Sequence, residues 1–147
     1  MSHTYSQNHL HVVFSTKDRQ KLIAPPMQPK LWRYMAGIAR NHDFLVLANG
    51  GMEDHVHLLI QLPPMLALAK AVSLLKTNSS SWMSDHGMKF AWQQGYGAFS
   101  VSASNLSTVE RYIANQAQHH RRKTFEDEFV GLLKKHGIPF DPKYVFG

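Results

Sequence analysis

Two short segments hold residue types that could do chemistry together: Asp54-His55-Val56-His57-Leu58-Leu59-Ile60 and Glu110-Arg111-Tyr112-Ile113-Ala114-Asn115-Gln116. The first reads as a strand, whose side chains alternate between faces. His55 and His57 then share a face, about 7 Å apart along it, close enough to grip one divalent metal. Val56 and Leu58 point the other way, into a core. The second segment reads as a helix, where residues four apart sit one turn above each other. That spacing stands the Tyr112 phenol beside the Gln116 carbonyl oxygen. Two imidazoles, an amide oxygen, a metal and a tyrosine can together cut a phosphodiester.

A His-x-His pair is weak evidence by itself, because His9-Leu10-His11 has the same form. For either pair alone, a structural or surface role is the simpler reading. The second pair is favoured by its apolar opposite face and by Glu53 and Asp54, which could serve as outer partners to ligating imidazoles. An amide oxygen donor suits Mg²⁺ or Mn²⁺ more than zinc. The metal would act as a Lewis acid on a scissile phosphate. Tyr112 competes with Tyr5, Tyr34, Tyr96 and Tyr144, and tyrosines usually pack with a satisfied hydroxyl. What separates Tyr112 is Gln116 one turn on, followed by His119, His120, Arg121, Arg122 and Lys123. A phenol of pKa ~10 needs activation to attack at neutral pH. Its oxyanion leaves more readily than a sugar alkoxide, so a phosphotyrosine bond is easily reversed and suits strand exchange.

Lys and Arg total 16 against 10 Asp and Glu, a net charge of +6 that favours a polyanionic partner. Lys17, Arg19, Arg121 and Arg122 are candidate phosphate contacts, and Lys76 and Ser80 lie in a hydroxyl-rich stretch ending at Trp82 that could track a single strand. The plainer reading is solvated faces, with Trp82 in the core. The chain has no cysteine, which excludes disulfides, thiolate zinc sites and cysteine nucleophiles. No apolar run approaches the ~20 residues of a membrane span, and the first residues lack a signal-peptide layout. A cytoplasmic protein is the expectation.

The elements that must position these groups follow from periodicity. Leu10 to Thr16 reads as a strand before a charged turn, and Gln28 to Asn41 as a helix with Leu31, Met35, Ile38 and Ala39 on one face. Phe44 to Asn49 and Glu53 to Leu62 read as an antiparallel pair, with Gly50-Gly51 breaking or bulging the chain between them. A second helix spans about Ala67 to Asp85. Phe90 to Ser102 reads as a strand bent at Gly95 or Gly97. Ser107 to Glu110 matches a capping box opening the Tyr112 helix. Phe125, Phe129, Leu132 and Leu133 mark a last helix, stopped at Gly137 and Pro139. The order β-α-β-β-α-β-α-α implies one α+β domain over 1–147: a single, mainly antiparallel sheet with helices packed on it.

With these residues placed, the chain resembles the single-tyrosine HUH transposases of small bacterial insertion sequences, HUH standing for His-hydrophobic-His. The matching pieces run in order: Ser15 to Arg19, Asp54 to Leu58, Leu75 to Ser80, Trp92 to Ser100 and Tyr112 to Gln116. The resemblance implies a ferredoxin-like or RRM-like HUH fold. His55, His57 and Gln116 would hold Mg²⁺ or Mn²⁺, and Tyr112 would attack the phosphorus to give a 5′-phosphotyrosine and a free 3′-hydroxyl. It also implies single-stranded DNA with a hairpin at element ends as substrate, and a homodimer whose active sites are shared between subunits. The residues leave other readings open: a transposase-like protein acting on repetitive palindromic hairpins, a replication-initiator or relaxase-like nickase, a metal-dependent hydrolase, or a non-catalytic single-stranded DNA-binding domain. His9 and His11 have no catalytic counterpart to carry over, His119 and His120 either tune the site or sit outside it, and the segment after Lys123 either packs on the sheet or helps form the dimer.

Overall fold

A computed structural model describes residues 3–146. Strands β1 (His9–Ser15), β2 (Leu45–Gly51), β3 (His55–Gln61) and β4 (Gly97–Val101) form one antiparallel sheet in the order β2-β3-β1-β4. The helices are α1 (Gln28–Asn41), α2 (Leu68–Asp85), α3 (Leu106–Ala114), α4 (Gln116–His119) and α5 (Phe125–Lys135). This is the α+β architecture expected from the alternation of periods. Among the described residues no helix is long and apolar enough to cross a membrane.

Alternation divides the sheet into two faces. Val12, Phe14, Val56, Leu58 and Ile60 pack against Leu31, Met35 and Ile38 of α1 and Ala71, Val72 and Leu75 of α2, forming the main core. Each fully buried large aliphatic side chain there is worth roughly 1.5–3 kcal/mol. The other face carries His11, Val13 and Ser15 of β1 opposite Leu59, His57 and His55 of β3. A smaller apolar cluster of Val13, Phe99, Phe125 and Leu133 seals that face under α5. One face therefore holds the fold together, and the other presents the histidines.

Three local expectations are revised. The strand expected over Phe90 to Ser102 shrinks to Gly97–Val101, with only an isolated Thr16–Trp92 bridge before it. The Lys76 ammonium donates to the carbonyls of Gln93 (2.8 Å) and Gly95 (2.6 Å), which holds that stretch as a loop instead of a ladder. The Gly50-Gly51 pair does not break β2. It stays in the strand, and the irregularity falls earlier, between Val46 and Ala48. The capping box at Ser107 is absent. A 3-10 turn over Ala103–Asn105 runs straight into α3, so Ser107 is already inside the helix and no side chain caps it. Thr124 does cap α5, accepting the Asp127 N–H at 3.2 Å.

Gly50 sets how closely the Tyr112 helix approaches the sheet. A Cβ added there would lie 2.7 Å from the Ile113 carbonyl oxygen, a backbone atom that cannot swing aside. Gly50→Ala is expected to destabilise by about 1–3 kcal/mol through overpacking, because α3 must lift. Urea denaturation checks this, and an unchanged midpoint would show that α3 is free to shift.

Candidate functional site

The centre is built by four elements. His55 and His57, both fully buried, project from β3 on one face. An outer partner holds each ring at Nδ1. Asp54 Oδ1 accepts a hydrogen bond from His55 Nδ1 at 2.7 Å, while His11 Nε2 lies 2.8 Å from His57 Nδ1. The β1–β3 register, which pairs Val13 with His57 and His11 with Leu59, brings His11 into reach. The Nε2 atoms of both rings are left pointing at the covering helices.

From above, α3 supplies Tyr112. The helix breaks at Asn115, and Gln116 opens the short α4. Gln116 Oε1 lies 3.1 Å from His55 Nε2 and 3.1 Å from His120 Nε2. Then α5 contributes Glu128. Its Oε1 lies 2.9 Å from His57 Nε2, 3.2 Å from His120 Nε2 and 3.6 Å from His55 Nε2. Its Oε2 accepts the Tyr112 hydroxyl. The Phe125 ring stacks on His55 at 4.6 Å, closing the remaining side. Tyr112, His55, His57 and Gln116 thus meet within the described chain.

The ligand atoms of His55, His57 and Glu128 lie within 4.8 Å of one another. Two imidazole nitrogens and a carboxylate oxygen, converging and buried, fit a divalent cation. Sequence reading missed Glu128. The available signal was its position among Phe125, Phe129, Leu132 and Leu133: a carboxylate within an apolar stripe needs a partner. His11 was also missed as a partner, since strand pairing alone joins it to His57. Among the described residues Glu53 makes no side-chain bond, so Asp54 is the outer carboxylate.

Electrostatics follow from burial. Burial would raise the Glu128 carboxyl, but hydrogen bonds from His120, His57 and Tyr112 outweigh it and hold the group far below the usual carboxylate range. Burial, reinforced by the Glu128 bond and charge, pushes the Tyr112 phenol well above its ordinary value. Burial depresses His57 to about 4 despite Glu128, and depresses His11 to about 3 with His57 adding to the effect. For His120, the bond and charge of Glu128 override burial, and its pKa rises. At neutral pH the metal-free protein therefore holds a charged Glu128 and a protonated Tyr112.

A pH dependence follows. His11 and His57 titrate lower when folded than the unfolded value of about 6.5, so the unfolded chain binds more protons between those limits. Their stabilising contribution is present above about pH 6.5 and is lost as pH falls toward 4 and 3. The lowered Glu128 acts in the same sense at the acid end, whereas the raised His120 opposes it near neutrality. Each additional proton taken up on unfolding contributes a slope of about 1.4 kcal/mol per pH unit. Urea midpoints measured in EDTA are expected to fall between pH 6.5 and 4, and a flat profile would contradict the buried, neutral histidines.

The candidate nucleic-acid contacts separate into two groups. Lys17, Arg121 and Arg122 are exposed. Arg121 and Arg122 line an open cleft with Lys21, Lys123, Asp54 and His120, leading to the edge of the centre. Arg19 and Lys76 are engaged within the protein. Arg19 donates to the Phe146 carbonyl at 3.2 Å and pairs with Glu126 at 3.9 Å, and Lys76 holds the Gln93–Gly95 loop. Burial lowers Lys76 to about 8. Ser80 borders a surface groove with Lys76 and Thr77. Trp82 packs partly into the core and stacks on Tyr34 at 4.9 Å.

Comparison with known proteins converges on one family. Residues 4–116 match the model of the family described as "Transposase IS200 like". The transposases for insertion sequence element IS200 of Salmonella typhimurium and Salmonella typhi are each 22% identical over 129 residues, covering 82% of this chain and 84% of theirs. Two solved structures share the fold. One, described as a candidate transposase of Deinococcus radiodurans R1, is 22% identical with a TM-score of 0.64 over 79% of this chain and 95% of its own. The other, a REP-associated tyrosine transposase bound to a REP hairpin, is 14% identical with a TM-score of 0.61 over 82% of this chain and 73% of its own. The extent of the family match, over a sheet that carries the paired histidines, makes this chain a member of the IS200-like transposase family.

Proposed function

We propose that the protein is a metal-dependent transposase that cleaves and rejoins single-stranded DNA at insertion-sequence ends through a covalent 5′-phosphotyrosine on Tyr112. One observation carries this reading: a single carboxylate, Glu128, receives both the Tyr112 hydroxyl and the Nε2 of His57, so nucleophile and cation site adjoin in one chain. His55, His57 and Gln116 would hold the cation, with Glu128 as an added oxygen donor that sequence reading did not include. A bound Mg²⁺ or Mn²⁺ supplies positive charge to the scissile phosphate and beside the attacking phenol.

The chain's own groups then divide the work. Tyr112 Oη attacks phosphorus as its proton passes to the neighbouring carboxylate or to water. The P–O3′ bond breaks, and the departing 3′-oxygen takes up a proton to become a free hydroxyl. The 5′ phosphate stays on Tyr112, and rejoining is the same attack reversed by a 3′-hydroxyl. Lys17, Arg121 and Arg122 would bind phosphates on the approach. The chain 1–147 would act as one such domain, in a homodimer whose subunits share active sites.

The similar structure bound to a REP hairpin favours a second, closely related substrate, a repetitive palindromic hairpin. Both readings predict that labelled hairpin-bearing single strands, incubated with Mn²⁺, give a protein–DNA band that survives denaturation and disappears with EDTA or His57→Ala. Comparing element-end and repetitive-palindrome hairpins decides between the two. Cleavage without an attached protein would replace both with a metal-dependent hydrolase.

A further inference from the structure

We infer that His120 is a third imidazole ligand of the metal centre, which makes the donor set nitrogen-rich and directs it toward a transition metal over Mg²⁺. The inference rests on the metal-dependent reading above and extends it to a residue outside the His-hydrophobic-His pair.

Three histidines are each held at Nδ1, with His120 at the edge of the group formed by His55, His57 and Glu128. His55 is held at Nδ1 by Asp54, His57 by His11, and His120 by the backbone carbonyl of Lys123 at 2.8 Å. A carbonyl can only accept, so His120 Nδ1 carries the proton and its Nε2 is the atom turned inward. An Nδ1–H on a carbonyl or carboxylate is how proteins fix a metal-binding imidazole. All three Nε2 atoms converge on Glu128 Oε1, at 3.6 Å (His55), 2.9 Å (His57) and 3.2 Å (His120). Gln116 Oε1 bridges His55 and His120 at 3.1 Å each. Gln116 and His120 stand one helical turn apart on the same face, so the element that delivers the amide also delivers the imidazole. The His55 and His120 rings meet edge to face at 4.6 Å, leaving no intervening side chain.

The chemistry of the set has a consequence. Mg²⁺ prefers oxygen ligands and keeps its waters, whereas imidazole suits later divalent ions. Each imidazole ligates through an Nε2 that carries no proton. The apo protein should therefore bind Co²⁺ far more tightly than Mg²⁺. His120→Ala should lower the Co²⁺ affinity tenfold or more, roughly at least what loss of an outer partner costs. His42→Ala, an exposed histidine remote from the centre, should leave it unchanged.

The direct test is proton NMR of the Co²⁺-loaded protein. Each ligating histidine bound through Nε2 contributes one strongly shifted, exchangeable Nδ1–H resonance. Three such resonances in the wild type and two in His120→Ala would establish the third ligand. The wild-type count stands even where the variant fails to fold. Two resonances in a protein that binds Co²⁺ would overturn the proposal while leaving the metal-dependent reading intact. Three resonances persisting in His120→Ala would overturn it as well. No Co²⁺ binding at all would overturn both.

Discussion

Tyr112→Phe is expected to eliminate the covalent protein–DNA adduct, lowering its rate of formation by on the order of 10³ or more, while metal and DNA binding persist. The substitution removes one oxygen atom and leaves the converging His55, His57 and Glu128 donors in place. The Tyr112 hydroxyl donates to Glu128, which keeps His57 and His120 as partners after the change. Leaving one lone pair of a buried carboxylate unmatched costs about 1–3 kcal/mol, so the variant should melt lower but cooperatively. The measurement pairs a denaturing gel for the adduct with a titration of single-stranded DNA by anisotropy. An adduct that survives in Tyr112→Phe would move the nucleophile elsewhere. Loss of DNA binding together with the adduct would make the tyrosine structural.

Glu128→Ala is expected to weaken Mn²⁺ binding by roughly 10- to 100-fold or more, taking the cost of losing an outer partner as the lower bound. Glu128 places its carboxylate against His55, His57 and His120, and its charge stays negative through the working pH range. Removing it strips the cation site of the one convergent anion among the described residues, since Asp54 turns its oxygen to the far side of His55. Glu128→Gln keeps the volume and one oxygen donor, so it should bind metal better than alanine and worse than wild type. Mn²⁺ binding followed by electron paramagnetic resonance gives the affinities without any DNA. Equal affinity in wild type and Glu128→Ala would remove Glu128 from the metal centre and leave it as the acceptor of the Tyr112 hydroxyl alone.

The two variants probe features of different legibility. Tyr112 stood out in the sequence through its neighbours, because Gln116 and the basic run lie within eleven residues of it. Glu128 looked like its flanking acids Glu126 and Asp127, which belong to the first turn of α5, where carboxylates favour the helix dipole. Burial and partners distinguish it, and both come from the sheet beneath. The capping box at Ser107 failed for the converse reason. The local pattern was present, but a 3-10 turn started the helix early and left the motif inside it.

What the sequence determined by itself is what repeats over short distances. Period-2 alternation put His55 and His57 on one face with Val56 and Leu58 on the other, and helical periodicity gave α1 its span from Gln28 to Asn41. The ordered motifs carried the family. Tertiary structure alone decided which groups complete the centre. His11 meets His57 across 46 residues through the β1–β3 register, and Glu128 meets His57 across 71 because α5 folds back over the sheet. Such contacts join residues with no periodic relation to each other. They exist because a buried charge or imidazole must find a partner within hydrogen-bond reach, and only the packed chain fixes which group is there.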